Sequence, residues 1–271
     1  MKNIIGGNIA RFRKEKKLTQ EALAEQLHVS FQAVSKWETG QTTPDIHILT
    51  QLAAILETSI DSLAGYAHTR IVSPYQEWYR SEEYYWGTEP SSMCLEVLRL
   101  LPPTRPLRLL DIACGEGKDA VFMARCGYQV SAFDISQAGI DKTLRLAEKA
   151  GVHVDAFCAD INDYRLMQDY DVLFCSGALH YIRPELRGEI FANFQSHTAP
   201  NGLNAMNVFV QKSFLAPPPE QEISYDWRSG ELFTLYHDWQ MEMCDEIIFD
   251  CDSSGIPHKH AMAKMIARKI R

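Results

Sequence analysis

Short apolar runs alternate with amphipathic stretches from residue 107 onward. The runs LRLLDIA, YQVSAFDIS, VHVDAFCAD, YDVLFCSG and LNAMNVFV have strand character, and DAVFMARCG and QAGIDKTLRLAEKAG have helical character. Strands connected through helices form parallel sheets with right-handed crossovers, and helices cover both faces of such sheets. The alternation therefore predicts an α/β doubly wound, mostly parallel sheet.

The segment DIACGEGKDA, residues 111–120, follows the first predicted strand and fits the dinucleotide-binding pattern G-x-G-x-x-A. Carboxylates from Asp111, Glu116 and Asp119 crowd the same turn. A pyrophosphate is an anion and is held by amide N–H groups, so acidic side chains disfavour it. S-adenosylmethionine has no phosphate and carries an ammonium and a sulfonium. The turn therefore favours S-adenosylmethionine.

Four motifs occur in order along this region: LLDIACGEG, FDIS, CADIND and DVLFCSGALHYI. With them, residues 107–211 resemble the class I S-adenosylmethionine-dependent methyltransferases, which implies a Rossmann-like sheet of seven strands and methyl transfer. The resemblance assigns the methionine end of the cofactor to Asp111, Gly115 and Gly117, the ribose to Asp134, the adenine to Ile135, Asp160 and Ile161, and a further cofactor contact to Cys175.

The methyl acceptor is expected to be a small molecule. The fourth motif reads CSGA, which is neither the Asn/Asp-Pro-Pro-aromatic signature of amino-methylating DNA enzymes nor a Pro-Cys nucleophile. Residues 67–271 carry 20 Lys/Arg against 28 Asp/Glu, and this acidic balance argues against a polyanionic RNA substrate.

Three further segments resemble the tellurite-resistance-type branch of small-molecule methyltransferases: EYYWGTEPSS, YDWRSGELFTLYHDWQ and SSGIPHKHAMAKMIARK. The resemblance implies that residues 225–239 close over the substrate. A pocket histidine and arginine of the best-known members align with Phe249 and Asp250, so the resemblance does not extend to tellurite as the substrate.

Residues 67–92 contain six aromatic residues and precede the sheet. Two interpretations stay open, because the segment could form a helix packed outside the sheet or a lid over a ligand pocket. In the lid interpretation, Tyr85 and Trp86 line the substrate pocket together with Tyr181 and Tyr225.

Three histidines are candidate catalytic residues. His258 and His260 lie two apart on the last predicted strand and share a face, so they could act as a base, a substrate anchor or two metal ligands. A third metal ligand is not evident, and we predict no metal site. His180 follows the fourth strand and could contact substrate. The structural alternatives are a polar strand start for the pair and a helix-capping histidine for His180.

The segment LTQEALAEQLHVSFQAVSKWETG predicts two helices, capped by Thr19 and Ser30 and separated by a turn at His28. This is helix-turn-helix spacing. A further helix with Thr43 as its cap and Pro44 at its first helical position, and a short last helix, complete an all-α domain of five helices.

Residues 4–66 resemble the Cro and phage-repressor (XRE-type) helix-turn-helix class, which implies binding to double-stranded DNA. In that class the positions of Gln32, Ala33, Ser35 and Lys36 face base edges and phosphates. The basic run RFRKEKK, residues 11–17, precedes the two helices of the helix-turn-helix within this unit. Near-zero net charge predicts weak binding by one copy, and hence a homodimer on paired half-sites. A helical bundle used for protein contact is the alternative.

The expected domains are 1–66 for DNA binding, 67–106 for the connector and lid helices, and 107–271 for methyl transfer. Seven cysteines without a C-x-x-C pair suggest reduced thiols, and no apolar run is long enough to span a membrane. We therefore expect a cytoplasmic enzyme fused to a transcriptional regulator. A regulator that senses S-adenosylmethionine or another ligand without methyl transfer is the alternative.

Overall fold

The computed structural model describes residues 4–56, 58, 60–64, 75–215, 224–251 and 257–270. The chain divides into two compact units, residues 1–72 and 73–271. Among the residues described, none of the helices combines the length and apolar character that a bilayer span requires.

The described part of the first unit is all-α, as predicted. Its five helices are α1 (Ile4–Glu15), α2 (Gln20–Gln26), α3 (Phe31–Glu38), α4 (Ile46–Ile55) and α5 (Ile60–Ala64). The hydroxyls of Thr19 and Ser30 cap α2 and α3 by accepting the amides of Ala22 and Ala33, which confirms both predicted caps. His28 has a left-handed φ of 54° at the turn.

The predicted cap of α4 was wrong by two residues. Asp45, not Thr43, is the N-cap, because its carboxylate accepts hydrogen bonds from the amides of both His47 and Ile48. A hydroxyl at position 43 lies too early in the chain to reach these amides, and Pro44 lies before the cap instead of at the first helical position.

Arg13 lies inside the first unit, although it belongs to the basic run. Its Nε and Nη2 donate to the carboxylate of Glu38 at 2.6 and 3.0 Å, and Gln20 Nε2 donates to the same group at 2.6 Å. Burial alone would raise the pKa of Glu38, but the hydrogen bonds from Arg13 and Gln20 hold it below its ordinary value. The basic run therefore offers one cation fewer to a phosphate than its sequence suggests.

The described part of the second unit is an α/β layer structure. Its α-helices are α6 (Tyr75–Trp78), α7 (Ser92–Leu100), α8 (Lys118–Arg125), α9 (Gln137–Ala150), α10 (Arg187–Ser196) and α11 (Glu231–Thr234). Its strands are β1 (Arg108–Ile112), β2 (Gln129–Asp134), β3 (Val154–Cys158), β4 (Tyr170–Cys175), β5 (Thr198–Phe209), β6 (Gln240–Cys251) and β7 (His258–Arg268).

The seven strands form one sheet in the order β3-β2-β1-β4-β5-β7-β6. Pairs among β1 to β5 are parallel, and β7 runs antiparallel to both β5 and β6. This confirms the predicted doubly wound, mostly parallel sheet of seven strands. Apolar residues of α7, α8 and α9 cover one face, and those of α10 and α11 cover the other.

The topology brings the candidate residues at the ends of β1 and β2 and at the start of β7 to one edge of the sheet. The order reverses between β1 and β4, and ligands of such sheets bind beyond the carboxyl ends of the strands at this point. Because β7 runs in the opposite direction, its first residues lie at the same edge as the ends of β1, β2 and β6.

Candidate functional site

The turn after β1 requires glycine at two positions. Gly115 has φ of 58° and Gly117 has φ of 83°, in the left-handed region that side chains rarely adopt. A Cβ added to Gly117 would come within 2.5 Å of the Thr143 side chain. The glycines therefore allow a tight turn packed against α9.

Asp134 at the end of β2 connects this turn to the next. Its two carboxylate oxygens accept the amides of Gly115 at 2.9 Å and Ser136 at 2.8 Å. Burial raises the pKa of Asp134, while the backbone hydrogen bonds oppose that rise. Asp134 therefore stabilises the glycine turn, whichever ligand it also contacts.

Asp111 in β1 has a buried carboxylate oxygen, Oδ2, with no hydrogen-bond partner among the described residues. Burial, reinforced by the charges of Asp119 and Asp134, raises the pKa of Asp111 well above its ordinary value. A buried carboxylate oxygen without a partner is costly, and a ligand cation would relieve that cost. The position fits the ammonium of the predicted cofactor.

The other two carboxylates of the turn have partners within the protein. Glu116 Oε1 forms an ion pair with Lys142 Nζ at 2.7 Å, with the two side chains 1% and 2% exposed, and Oε2 accepts the amide of Trp86. Asp119 Oδ1 accepts the amide of Ser91 at 2.6 Å, at the start of α7. These two carboxylates therefore hold the aromatic segment and α7 in place. The sequence argument that all three carboxylates suit a cation applies to Asp111 alone.

The residues expected to contact the adenosine occupy the ends of neighbouring strands. Ile135 is half-buried after β2, and Ile161 is buried in an apolar layer. Asp160 Oδ1 accepts the amide of Asn162 at 2.8 Å. Cys175 is fully buried at the end of β4, and burial raises the pKa of its thiol. Contact between these residues and a cofactor stays a prediction.

The aromatic segment lies over the glycine turn. The hydroxyl of Tyr79 accepts a hydrogen bond from Trp86 Nε1 at 3.0 Å and lies 3.0 Å from the position of a Cβ on Gly115. Gln76 Oε1 accepts the hydroxyl hydrogen of Ser136 at 2.7 Å, at the start of α9. These contacts favour the lid interpretation over a helix packed only on the outside of the sheet.

Three of the predicted substrate-pocket residues, Tyr85, Trp86 and Tyr181, make ring contacts with other aromatic residues. Tyr85 stacks on Trp78 with centroids 5.0 Å apart, and Trp86 lies edge-on to Tyr85 at 4.8 Å. Tyr85 and Trp86 are 40% and 46% exposed, so their rings reach solvent at the edge of the aromatic segment. The ring of Tyr181 contacts that of Tyr75 at 6.5 Å, which connects the loop after β4 to the aromatic segment.

His180 follows β4 and is buried. Its Nδ1 has no hydrogen-bond partner among the described residues, which disagrees with the interpretation as a satisfied capping histidine. Burial, reinforced by His260, lowers the pKa of His180 to about 4, so the ring is neutral near pH 7. Its carbonyl accepts the amide of Tyr225 at 2.7 Å, so residues after 224 do pack beside the loop that follows β4.

His258 and His260 share a face of β7, as their spacing predicts. Their Nε2 atoms are 2.8 Å apart, and the His260 ring packs against Phe209 at 4.7 Å. The Phe209 ring in turn contacts His180 at 5.2 Å. The three candidate histidines therefore lie along one edge. The sequence missed Cys251, whose Sγ lies within 4.8 Å of a ligating nitrogen of both His258 and His260.

The candidate DNA-contacting residues lie on α3 of the first unit. Gln32 and Lys36 are exposed, and Ser35 is half-buried. Ala33 packs partly against the apolar core, and its amide donates to the Ser30 hydroxyl. Val34 and Trp37 form the buried side of the same helix, so Gln32 and Lys36 offer the most accessible groups.

Two family models match separate parts of the chain. Residues 76–259 match the family described as tellurite resistance protein TehB, and residues 9–63 match the helix-turn-helix family. The first match covers more than half of the chain. The chain belongs to the TehB family. Its first unit is a helix-turn-helix domain, which confirms both resemblances drawn from the sequence.

The TehB-family assignment agrees with individual relatives. Hemagglutinin 1 of Eikenella corrodens is 29% identical over 167 residues, covering 60% of this chain and 55% of the relative. The probable S-adenosyl-L-methionine-dependent methyltransferase TehB of Haemophilus influenzae (strain 10810) is 26% identical over 167 residues, covering 60% and 58%. The chain thus spans little more than half the length of these relatives.

A solved structure supports the fold of the TehB-like unit. The crystal structure of TehB from Haemophilus influenzae superposes with a TM-score of 0.60 and 22% identity, covering 72% of this chain and 65% of that chain. At this identity the likeness establishes the fold.

Proposed function

We propose that the second unit is an S-adenosylmethionine-dependent methyltransferase that acts on a small molecule. The unpartnered Oδ2 of Asp111, buried beside the glycine turn at the switch point of the sheet, carries this proposal. A buried carboxylate in that place suits a cationic ligand and disfavours a pyrophosphate. The name of the TehB relative from Haemophilus influenzae supports the same activity.

Some residues of the chain would bind the cofactor, and others would exclude water from it. S-adenosylmethionine supplies an already activated methyl group. Asp111 would pair with its ammonium, Asp134 would accept from the ribose hydroxyls, and the aromatic segment would cover the site. His180, neutral near pH 7, would take a proton from an acceptor that arrives protonated.

Methyl-labelled S-adenosylmethionine, incubated with the protein and a bacterial metabolite extract, is expected to label at least one small molecule. His180→Ala should lower the rate about 100-fold, since general-base assistance typically contributes 10²–10⁴-fold, with little change in cofactor affinity. Mass spectrometry and calorimetry measure these two quantities. An exposed histidine, His153, provides the matched control as His153→Ala.

Two results would count against this proposal. A protein that binds no S-adenosylmethionine contradicts the cofactor assignment. A protein that binds the cofactor tightly and labels no acceptor from any extract instead favours the second candidate function, a transcription regulator that senses the cofactor.

We further propose that the helix-turn-helix unit binds double-stranded DNA as a homodimer that reads paired half-sites, and that the protein is a cytoplasmic transcription regulator. The exposed side chains of Gln32 and Lys36 on α3 support the DNA contact. The ion pair between Arg13 and Glu38 removes one cation from the basic run, which supports the need for two copies.

Gln32→Ala is expected to weaken binding to the selected operator by about 1–3 kcal/mol and to relax the preference at one base pair, because the amide reads a base edge. Lys36→Ala should weaken binding to all DNA sequences alike and reduce the dependence of binding on salt concentration. Binding titrations after selection from random DNA measure both effects. Gln51→Ala, an exposed position on α4, is the control. Binding without any sequence preference would leave the unit as a protein-contact module.

A further inference from the structure

Three metal-ligating side chains converge where β6 ends and β7 begins. Cys251 is the register partner of His258 across the antiparallel pair, and His260 lies two residues further on the same face of β7. The two Nε2 atoms are 2.8 Å apart, and all three ligating atoms lie within 4.8 Å of one another. All three residues are half-buried.

These separations lie near those that a tetrahedral ion requires, but the two nitrogens are closer together than in such a site. Bond lengths of about 2.0–2.1 Å to nitrogen place two imidazole nitrogens about 3.3 Å apart around zinc, and the longer bond to sulfur makes the N–S separation slightly larger. The nitrogens of His258 and His260 therefore need to separate by about half an ångström. Because both rings are half-buried, we expect rotation of their side chains to supply this movement without a change in the strands.

The surroundings hold the ligands on one face of the hairpin. The rings of Phe209 and Phe249 pack against His260 at 4.7 and 5.8 Å. Lys259 and Asp250 alternate to the opposite face, where they form an ion pair at 2.6 Å. The ammonium of Lys259, which lies between the two histidines in the chain, is thus paired with Asp250 and directed away from the three ligands.

We propose that Cys251, His258 and His260 bind one divalent ion of the zinc class. Imidazole and thiolate are the ligands zinc prefers, and three protein ligands leave one tetrahedral position for water or a small ligand. No other His, Cys, Asp or Glu in the described residues joins the group. On binding, the thiol of Cys251 gives its proton to solvent, and each histidine coordinates through a nitrogen lone pair.

The ion would lie beside the candidate methyl-transfer site. The Phe209 ring separates His260 from His180 and contacts both, at 4.7 and 5.2 Å. A ligand held at the fourth position would therefore approach the edge of the sheet where the acceptor is expected. The metal site itself does not depend on the methyltransferase proposal.

The test uses the full chain, purified without a metal-affinity tag, stripped with a chelator and titrated with Zn²⁺ alone and Co²⁺ alone. We expect one ion per chain and a thiolate-to-cobalt charge-transfer absorption. Cys251→Ser and His260→Ala should each weaken Zn²⁺ affinity on the order of 100-fold, because each removes one of three ligands. Cys244→Ser on the same strand and His237→Ala are exposed-site controls that should bind as the unchanged protein does.

Binding of no ion, or unchanged Zn²⁺ affinity in Cys251→Ser, would overturn the proposal. Thermal unfolding of every variant shows whether it folds. A variant that does not fold is replaced by His258→Gln, which keeps the size of the side chain. Calorimetry with S-adenosylmethionine on the same samples separates the two proposals. Loss of metal binding with intact cofactor binding concerns this site alone.

Discussion

Replacing Lys142 with alanine should lower the free energy of unfolding by about 3–5 kcal/mol, because it leaves the Glu116 carboxylate buried without its counter-charge. Lys142 Nζ lies 2.7 Å from Glu116 Oε1 and also donates to the Glu83 carbonyl at 2.5 Å. Glu116 in turn accepts the amide of Trp86. The same substitution should therefore increase hydrogen exchange in residues 81–87. Chemical denaturation and exchange mass spectrometry measure the two effects.

Two further variants separate the buried charge from a general loss of lysine. Lys149→Ala removes an exposed lysine of the same helix and should change stability by less than about 0.5 kcal/mol. The double variant Lys142→Met with Glu116→Gln removes both charges and should recover most of the loss. A loss of under about 1 kcal/mol in Lys142→Ala would show that the pair is solvated and does not anchor the aromatic segment.

The sequence predicted those parts of the fold that depend on local patterns. Thr19 and Ser30 are caps because each precedes an amphipathic run by one residue, and the structure confirms both. The strand ending at Asp134 is equally local, since an apolar run ends there. The cap of α4 could not be chosen from pattern alone. Thr43 precedes Pro44, Asp45 precedes Ile46, and both Thr43 and Asp45 carry side chains that can cap a helix.

Partners far apart in the chain explain what the sequence did not predict. Glu116 pairs with Lys142, 26 residues later, and Asp119 accepts an amide from Ser91, 28 residues earlier. Neither spacing is a helical or strand period. The sequence argument therefore treated the three carboxylates alike, although among the described residues only Asp111 has a buried oxygen, Oδ2, without a hydrogen-bond partner.

The third metal ligand was missed for a related reason. Cys251 meets His258 only through the antiparallel register of β6 and β7, and the sequence pattern of the two strands does not specify that register. The signal available was a cysteine seven residues before an H-x-H pair, with Gly255 and Pro257 between them. Such a spacing is compatible with a hairpin that places the ligands opposite each other.

Asp111→Asn is expected to weaken S-adenosylmethionine binding by about 10- to 100-fold, which corresponds to the roughly 1.5–3 kcal/mol of a hydrogen bond to a charged group. The amide keeps the shape of the carboxyl but removes the charge that pairs with the ammonium. Calorimetry measures the affinity, and Asp155→Asn, an exposed position on β3, is the control. Asp134 is less suitable, because its carboxylate also holds the amides of Gly115 and Ser136.

The raised pKa of Asp111 further predicts that cofactor binding changes the protonation of its carboxyl group. Because the folded-state pKa is raised, the folded protein holds the proton between the ordinary value of about 4 and the folded value. In that window the unfolded chain binds fewer protons, so the stability contributed by Asp111 is present at lower pH and is lost as pH rises. Pairing with the ammonium requires the carboxylate, so cofactor binding within the window should release a proton.

Asp111→Asn should therefore act in opposite directions on stability and on binding. Above the ordinary pKa of the carboxyl, the neutral amide should unfold at a higher temperature than the unchanged protein, because its folding requires neither the uptake of a proton nor the burial of a charge. The proton released on cofactor binding should disappear, which calorimetry in two buffers of different ionisation enthalpy detects. Unchanged affinity together with unchanged proton release would place the cation elsewhere. A loss of both stability and affinity would make Asp111 a structural residue of β1.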